Sequence, residues 1–218
     1  MHTTIKAFAL FIVLIPALAY AQEPQCTYSI DPATSQVEWT AFKTTAKVGV
    51  KGQFTKFTVT APAAPSVSQL LQGLQFTIDT TSVSTGDTNR DGIIVAFFFQ
   101  QMVGPAEIKG GIEKVSGQDK GEAQVRVFMN SESELVPMAY QVNPKNQLTA
   151  TGQLDIMNFG AGQAMSALSQ ACFEKHKGPD AVSKTWSEVQ LKITSTLNKD
   201  CSGAVESTTA KASLIPNT

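Results

Sequence analysis

Few residues of this chain have the types and spacing that catalysis or metal binding requires. The sequence has two histidines, of which His2 lies in a segment that we expect to be removed. The other, His176, lies in the last turn of a predicted helix, where the helix dipole favours a cation. Motifs of serine hydrolases, zinc proteases and phosphate-binding loops are absent, as are paired Cys-x-x-Cys motifs. The sequence therefore predicts no catalytic centre, no metal and no cofactor, and we do not expect an enzyme.

The second place that could do chemistry is a polar corner that contains Asp87, Arg90 and Asp91. Paired carboxylates are suited to general acid–base work. In a segment rich in Ser, Thr, Gly and Asn, however, aspartates more commonly cap a turn by bonding to nearby backbone. Arg90 has two candidate roles, which are contact with the polar head group of a ligand and an ion pair with Asp91 that stabilises the corner. The ion pair is the more ordinary of the two.

Residues 1–21 have the pattern of a signal peptide. Lys6 supplies a positive charge, residues 7–18 are apolar, and Ala-Tyr-Ala at 19–21 fits a small-x-small cleavage site. A transmembrane anchor is the alternative, but the apolar run is shorter than the roughly 18–20 residues that span a bilayer. We therefore expect an exported, periplasmic protein with no transmembrane segment after cleavage.

The rest of the chain is long enough for one domain with a hydrophobic core, expected at residues 22–201. The tail at 202–218 lacks periodicity, so we expect it to be disordered. The whole sequence has a formal net charge of -1 and 16% charged residues. Such a chain lacks the basic surface that nucleic acid binding requires, and no nucleic-acid partner is expected.

Alternation of apolar and polar residues indicates about eight β-strands. In one of them Ala123, Val125 and Val127 face one way, while Gln124 and Arg126 face the other. The connections are short and rich in turn-forming residues, which is typical of a sandwich or an antiparallel barrel. The expected strands are 28–41, 48–59, 74–79, 105–115, 122–130, 134–142, 146–156 and 187–197.

Helical patterns interrupt the strands. The strongest covers residues 161–177, because apolar residues recur there at helical spacing and a Gly-Pro pair follows. This helix has one apolar face, so it must lie on another part of the protein. A shorter helix is expected at 66–71, and the apolar residues 91–102 are either a short helix or a buried lid.

Three cysteines follow the signal peptide, so three different disulfides are possible. Cys172 falls on the apolar face of the predicted helix, where a buried free thiol is expected. If the first and last strands are antiparallel neighbours, the start of one meets the end of the other, and Cys26 lies beside Cys201. We therefore predict a disulfide between Cys26 and Cys201.

Several of these segments together resemble the YceI family, the exported lipid-binding barrels of bacteria. The matching stretches are Tyr-Ser-Ile-Asp at 28–31 with Ser-x-Val-x-Trp at 35–39, Val-Lys-Gly-Gln-Phe-Thr-Lys-Phe at 50–57, and Ile-Asp-x-x-Ser-Val-x-Thr-Gly at 78–86 followed by Arg-Asp at 90–91. No one of these motifs is specific, but their series covers most of the chain. The helix at 161–177 departs from the family pattern and resembles a branch with a helix-bearing insertion.

The resemblance implies an all-β fold, an extended eight-stranded antiparallel lipocalin-like β-barrel with the amphipathic helix inserted before the last strand. It implies no catalysis and a long apolar ligand inside the barrel, namely a polyisoprenoid, an isoprenoid quinone or a fatty amide. Arg90 is the candidate head-group contact. The candidate wall residues, chosen by inward alternation, are Val37, Trp39, Phe54, Phe76, Ile78, Phe98, Ile108, Val125, Met138, Leu154 and Val189.

Two functions are open on these grounds. The first is an exported, non-catalytic binder or carrier of a long-chain isoprenoid or related lipid. The second is a structural or interaction barrel with a filled core that acts through its surface, because periodicity does not tell a pocket from a packed core. The oligomeric state is also open, with a homodimer among the alternatives.

Overall fold

The structure is a computed structural model that describes residues 25–202. The predicted signal peptide and the predicted tail beyond residue 202 lie outside the described residues. Within them, eleven antiparallel strands form one sheet that curls into a half-barrel, and three α-helices lie between the strands. The all-β antiparallel barrel class and the helix before the last strand are confirmed.

The sheet is built from strands that neighbour one another mostly in chain order. Hydrogen-bonded neighbours follow the order β4-β5-β7-β8-β9-β10-β11-β2-β3-β6, and β1 pairs with β11. The strands are β1 (Gln25–Ile30), β2 (Gln36–Lys43), β3 (Val48–Phe54), β4 (Phe57–Thr60), β5 (Gln75–Asp79), β6 (Val83–Ser84), β7 (Glu107–Gly117), β8 (Lys120–Met129), β9 (Glu132–Val142), β10 (Gln147–Asp155) and β11 (Thr185–Ser202).

The prediction of eight strands is wrong in number, because two predicted strands are each divided. Asp31 accepts a hydrogen bond from the backbone N–H of Ala33 at 3.0 Å and caps a 3-10 turn at Pro32–Thr34, which separates β1 from β2. Proline lacks the N–H that a continuous strand would donate at this point. Residues 55–56 likewise separate β3 from β4, and the two-residue β6 is the remaining additional strand.

The last strand, β11, holds the half-barrel together because it pairs with three other strands. Its first part lies between β10 and β2, and its last part pairs with β1. This register places Cys26 directly opposite Cys201, and the two form the predicted disulfide. Cys172 is free and buried, as expected.

The three helices are α1 (Val67–Gln72), α2 (Thr88–Phe97) and α3 (Gly162–Ala171). Ser66 begins α1 by accepting a hydrogen bond from the N–H of Gln69 at 3.3 Å. Asp87 begins α2 by accepting from the N–H groups of Asn89 and Arg90, both at 3.1 Å. Such side-chain caps satisfy N–H groups that have no partner within a helix. The apolar residues after Asp87 are therefore a helix, which was one of the two expected alternatives.

The helix α3 is shorter than predicted, since it ends at Ala171 rather than at residue 177. Cys172 leaves the helical backbone region at φ -105° and ψ 11°, and a separate 3-10 turn follows at Glu174–His176. Sequence spacing does not reveal this break, because a 3-10 turn also places residues three apart on the same face.

The hydrophobic core lies on the concave side of the sheet, beneath the helices. Leu70 of α1 and Phe159, just before α3, are each 0% exposed. The helix α1 packs against β7 and β1, whereas α2 and α3 contact each other. Across residues 25–202, no helix has the length and apolarity needed to cross a membrane.

Candidate functional site

A cavity of about 450 Å³ lies inside the half-barrel. Most of the strands and all three helices contribute to its lining, which is almost wholly apolar. Cavities of this size and character are typical of sites for one small organic ligand. The concave side of the sheet therefore has the geometry of a binding site.

All eleven residues that were predicted as walls contribute to this lining. Ten of them lie on strands, where every second side chain points to the same face of the sheet, whereas Phe98 lies after α2. Their contact with a ligand stays a prediction. They are Val37 and Trp39 of β2, Phe54 of β3, Phe76 and Ile78 of β5, Phe98 after α2, Ile108 of β7, Val125 of β8, Met138 of β9, Leu154 of β10 and Val189 of β11.

Two aromatic walls lie against glycines of the neighbouring strand. Trp39 is paired with Gly52 across β2 and β3, and a Cβ atom at Gly52 would lie 2.2 Å from the Trp39 ring. Phe76 is paired with Gly110 across β5 and β7, where a Cβ atom would lie 2.5 Å from the Phe76 ring. A side chain at Gly52 would displace the Trp39 ring, and one at Gly110 would meet both the Phe76 ring and the backbone carbonyl of Arg126 at 2.1 Å, so both glycines allow the rings to lie where they do beside the cavity.

Strand alternation missed the part of the lining that the helices supply. Leu71 of α1, Ile94 of α2, and Met165 and Leu168 of α3 all line the cavity. The amphipathic pattern of α3 indicates that its apolar face must be covered, but it does not identify the surface that covers it. Periodicity assigns a residue to one face of its own element, whereas contact between elements depends on the path of the whole chain.

Hydrogen bonds to Thr85 hold the polar corner. Asp91 Oδ1 accepts from the backbone N–H and the hydroxyl of Thr85, at 2.8 and 2.5 Å. Arg90 donates from Nε to the Thr85 hydroxyl at 2.8 Å and from Nη2 to its carbonyl at 3.0 Å. Among residues 25–202, no ion pair joins Arg90 to Asp91, so the expected direct pair is replaced by two sets of bonds to one threonine. Arg90 also reaches the cavity lining.

Charged and polar side chains meet at one end of the cavity, which we call the basic end. Lys43 donates from Nζ to the carbonyl of Lys175 at 3.2 Å, and His176 Nδ1 lies 2.7 Å from the hydroxyl of Thr185. The lining at the basic end comprises Lys43, Asp87, Arg90, Lys175, His176 and Thr185.

His176 is not the helix-terminal cation that the sequence predicts. Burial, and then the nearby charge of Lys43, lowers the pKa of His176 below its ordinary value of 6.5. The imidazole is therefore neutral at about pH 7. Because α3 ends before this residue, the dipole argument for a charged histidine does not apply.

The free thiol of Cys172 also lines the cavity, beside the basic end. Burial raises the pKa of this thiol, while the charges of Lys175 and Lys43 act in the opposite direction. A thiol with a raised pKa is a poor nucleophile at neutral pH. These properties agree with the expected inert, buried thiol.

The sequence matches the family model of the YceI-like domain over residues 28–197. The chain belongs to the YceI-like family. The matched residues extend from β1 into β11 and include every strand and helix that lines the cavity. No curated protein matches the chain.

Several solved structures have the fold of this YceI-like chain at low sequence identity. BcnA from Burkholderia cenocepacia has a TM-score of 0.54 at 20% identity, and the match covers 78% of this chain and 99% of that one. A polyisoprenoid-binding domain from Saccharophagus degradans has a TM-score of 0.55 at 12% identity, covering 80% and 98% of the two chains. The YceI protein of Campylobacter jejuni has a TM-score of 0.51 at 15% identity, covering 71% and 85%. Identities this low show a common fold.

Proposed function

We propose that this YceI-like protein is an exported, non-catalytic binder of a long-chain isoprenoid or related lipid, such as a polyprenyl chain, a quinone or a fatty amide, inside the half-barrel. The observation that supports the proposal is the cavity of about 450 Å³ with an almost wholly apolar lining. A polar metabolite would lose its hydration over most of such a cavity and find hydrogen-bond partners only at the basic end. An apolar chain gains free energy by leaving water.

The free energy of burial is large enough for such a ligand. Each CH2 group removed from water contributes roughly 0.8 kcal/mol, so a chain of about 20 carbons has a gross driving force of roughly 16 kcal/mol. Association costs roughly 4–15 kcal/mol in lost freedom of motion. The net affinity therefore depends on how much of the chain the cavity encloses, and we expect selection by chain length and shape.

Two further observations support parts of the proposal. One solved structure with this fold is described as a polyisoprenoid-binding domain, which favours an isoprenoid as the ligand. Disulfides such as Cys26–Cys201 persist in oxidising compartments, which favours export to the periplasm. The alternative of a filled barrel that acts through its surface is weakened by the cavity itself, because a packed core leaves few voids larger than a water molecule.

Organic extraction of the purified protein, followed by mass spectrometry, tests the proposal. We expect a long-chain isoprenoid or lipid in near-stoichiometric amount. Polyprenyl or fatty-chain ligands added to stripped protein should raise the Tm, because a ligand that binds only the folded state stabilises it. Repeated absence of lipid from the extract, together with no stabilisation by added ligands, would defeat the proposal.

Two substitutions on β8 provide a matched pair for this experiment. Val125→Trp places a large ring in the cavity and should abolish lipid retention. Phe128→Trp changes a side chain that is 51% exposed and absent from the cavity lining, so lipid retention should be unchanged. Circular dichroism of both variants checks that the fold is retained.

A further inference from the structure

The cations at the basic end of the cavity have no carboxylate bound to them. Lys43, Arg90 and Lys175 line this end, and within residues 25–202 none of the three forms an ion pair. Asp87 also lies here, and its pKa is lowered by the hydrogen bond from the Arg90 N–H and further by the charges of Arg90 and Lys175. Its Oδ1 atom already accepts two N–H groups at the start of α2. The basic end therefore carries an excess of positive charge beside one occupied carboxylate.

Most other polar groups in the lining are already paired with each other or with neighbours, and the exception, the buried indole N–H of Trp39, is an uncharged donor without a partner. Glu38 accepts a hydrogen bond from Lys192 at 2.9 Å, and Ser35 donates to Ser195, also at 2.9 Å. In each pair the two side chains satisfy each other's hydrogen bonding, and neither pair leaves a net charge for a ligand. The contrast marks the basic end as the part of the cavity where a charged group of a ligand would gain most.

The cations at the basic end also have hydrogen-bond donors to spare. Lys43 uses one of its three N–H donors on the carbonyl of Lys175. Arg90 uses Nε and one N–H of Nη2 on Thr85, which leaves three of the five guanidinium donors. A carboxylate or phosphate is the group that such donors bind best, because charge-assisted hydrogen bonds are shorter and stronger than neutral ones.

We propose that the basic end receives the negatively charged head group of a lipid, a carboxylate or a phosphate, while the hydrocarbon chain lies in the apolar part of the cavity. This inference rests on the proposed function, since it requires a lipid in the cavity. Lys43 and Lys175 are the principal partners of the head group, and the remaining donors of Arg90 add to them. A neutral head group would leave the same cations without a counter-charge, so the cavity selects an acidic lipid over its neutral analogue.

Matched pairs of lipids that differ only in head-group charge test this inference. Oleate is compared with oleamide, and geranylgeranyl phosphate with geranylgeraniol, by isothermal titration of lipid-free protein. We expect the charged member of each pair to bind about 10-fold more tightly at low ionic strength, with a preference that shrinks as salt is added. Lys43→Gln and Lys175→Gln should each reduce the preference by about 3- to 10-fold, chiefly because the charged member binds more weakly.

A control substitution separates the basic end from general surface charge. Lys120→Gln removes a cation at the exposed start of β8, outside the cavity lining, and should leave the preference of the wild-type protein intact. Glutamine keeps most of the lysine stem and can still donate to the Lys175 carbonyl, so the Lys43 variant is expected to fold, which a Tm within a few degrees of wild type verifies.

The possible outcomes distinguish this inference from the proposed function. Equal affinity for charged and neutral members overturns the head-group inference while lipid binding stands. Failure of all four lipids to bind defeats the proposed function itself.

Two further arms test other sources of the anion. Inorganic phosphate or acetate at the lipid concentration should not compete, and competition without any preference for a charged lipid would mean a site for a free anion.

Vesicles of phosphatidylglycerol provide the other arm. If binding to these vesicles depends on Lys43 and Lys175 while the affinity for dispersed lipids does not, the cations contact a membrane surface and the inference is overturned.

Discussion

Opening the Cys26–Cys201 disulfide should destabilise the protein strongly, although it removes almost no contact from the folded state. The two cysteines are 175 positions apart and lie opposite each other where β1 pairs with β11. In the folded protein, the surrounding β1–β11 hydrogen bonds keep the strand ends together without the bond. The disulfide therefore acts mainly by limiting the freedom of the unfolded chain.

The chain-entropy model converts this separation into a free energy. A closed loop of this length lowers the stability of the unfolded state by about 5 kcal/mol. For a domain of this size, each kcal/mol corresponds to a Tm shift of about 2–4 °C, so reduction should lower the Tm by roughly 10–20 °C. A loss of about 5 kcal/mol is large against the 5–15 kcal/mol that stabilise typical domains.

Thermal unfolding followed by circular dichroism, with and without a phosphine reductant, measures the effect. The double variant Cys26→Ser with Cys201→Ser should reproduce the Tm of the reduced wild-type protein and no longer respond to reductant. In Cys172→Ala, the reductant should act as in the wild type, since Cys172 is free. A shift below about 3 °C in the double variant would refute the reasoning, because it would mean that the unfolded chain keeps its ends together without the bond.

Two other predictions concern pH and the walls of the cavity. The folded state lowers the pKa of His176 below 6.5, so it binds this proton less readily than the unfolded chain does. The stability contributed by the neutral imidazole is fully present above pH 6.5 and is lost as the pH falls below 6.5 and through the lower pKa of the folded state. The variant His176→Gln should flatten this part of the stability profile, measured by urea unfolding between about pH 5.5 and 8. Gly52→Ala would place a Cβ atom 2.2 Å from the Trp39 ring, and we expect a loss of about 1–3 kcal/mol together with weaker lipid binding. A Cβ atom at Gly92 in α2 meets nothing within 4 Å, so Gly92→Ala should instead raise the free energy of unfolding by about 0.5–1 kcal/mol. The same urea titration measures both glycine variants.

Each of these two predictions has an outcome that contradicts it. An unchanged pH profile in His176→Gln would mean that other groups titrate in this range. Equal effects of the two glycine substitutions would mean that the ring of Trp39 moves without resistance, and that Gly52 does not position this wall.

Sequence alone determined that these segments are half-buried strands and which of their side chains face inward. The alternation in β8 places Val125 inside and Phe128 outside, and the structure has both as predicted. This works because the two faces of a strand are set by the backbone geometry of each residue, whatever the rest of the chain does. The disulfide followed from the same local information plus one assumption about which strands are neighbours.

Only the tertiary structure decided how the cavity is capped and where its charges meet. Lys43 ends β2 and Lys175 follows α3, and the sequence separates them by more than half the chain. Their contact depends on where α3 stops, and the helical pattern placed that end six residues too late. Periodicity describes one element at a time, whereas the basic end is formed by side chains from a strand, a helix start and a 3-10 turn that meet only when the half-barrel has closed around them.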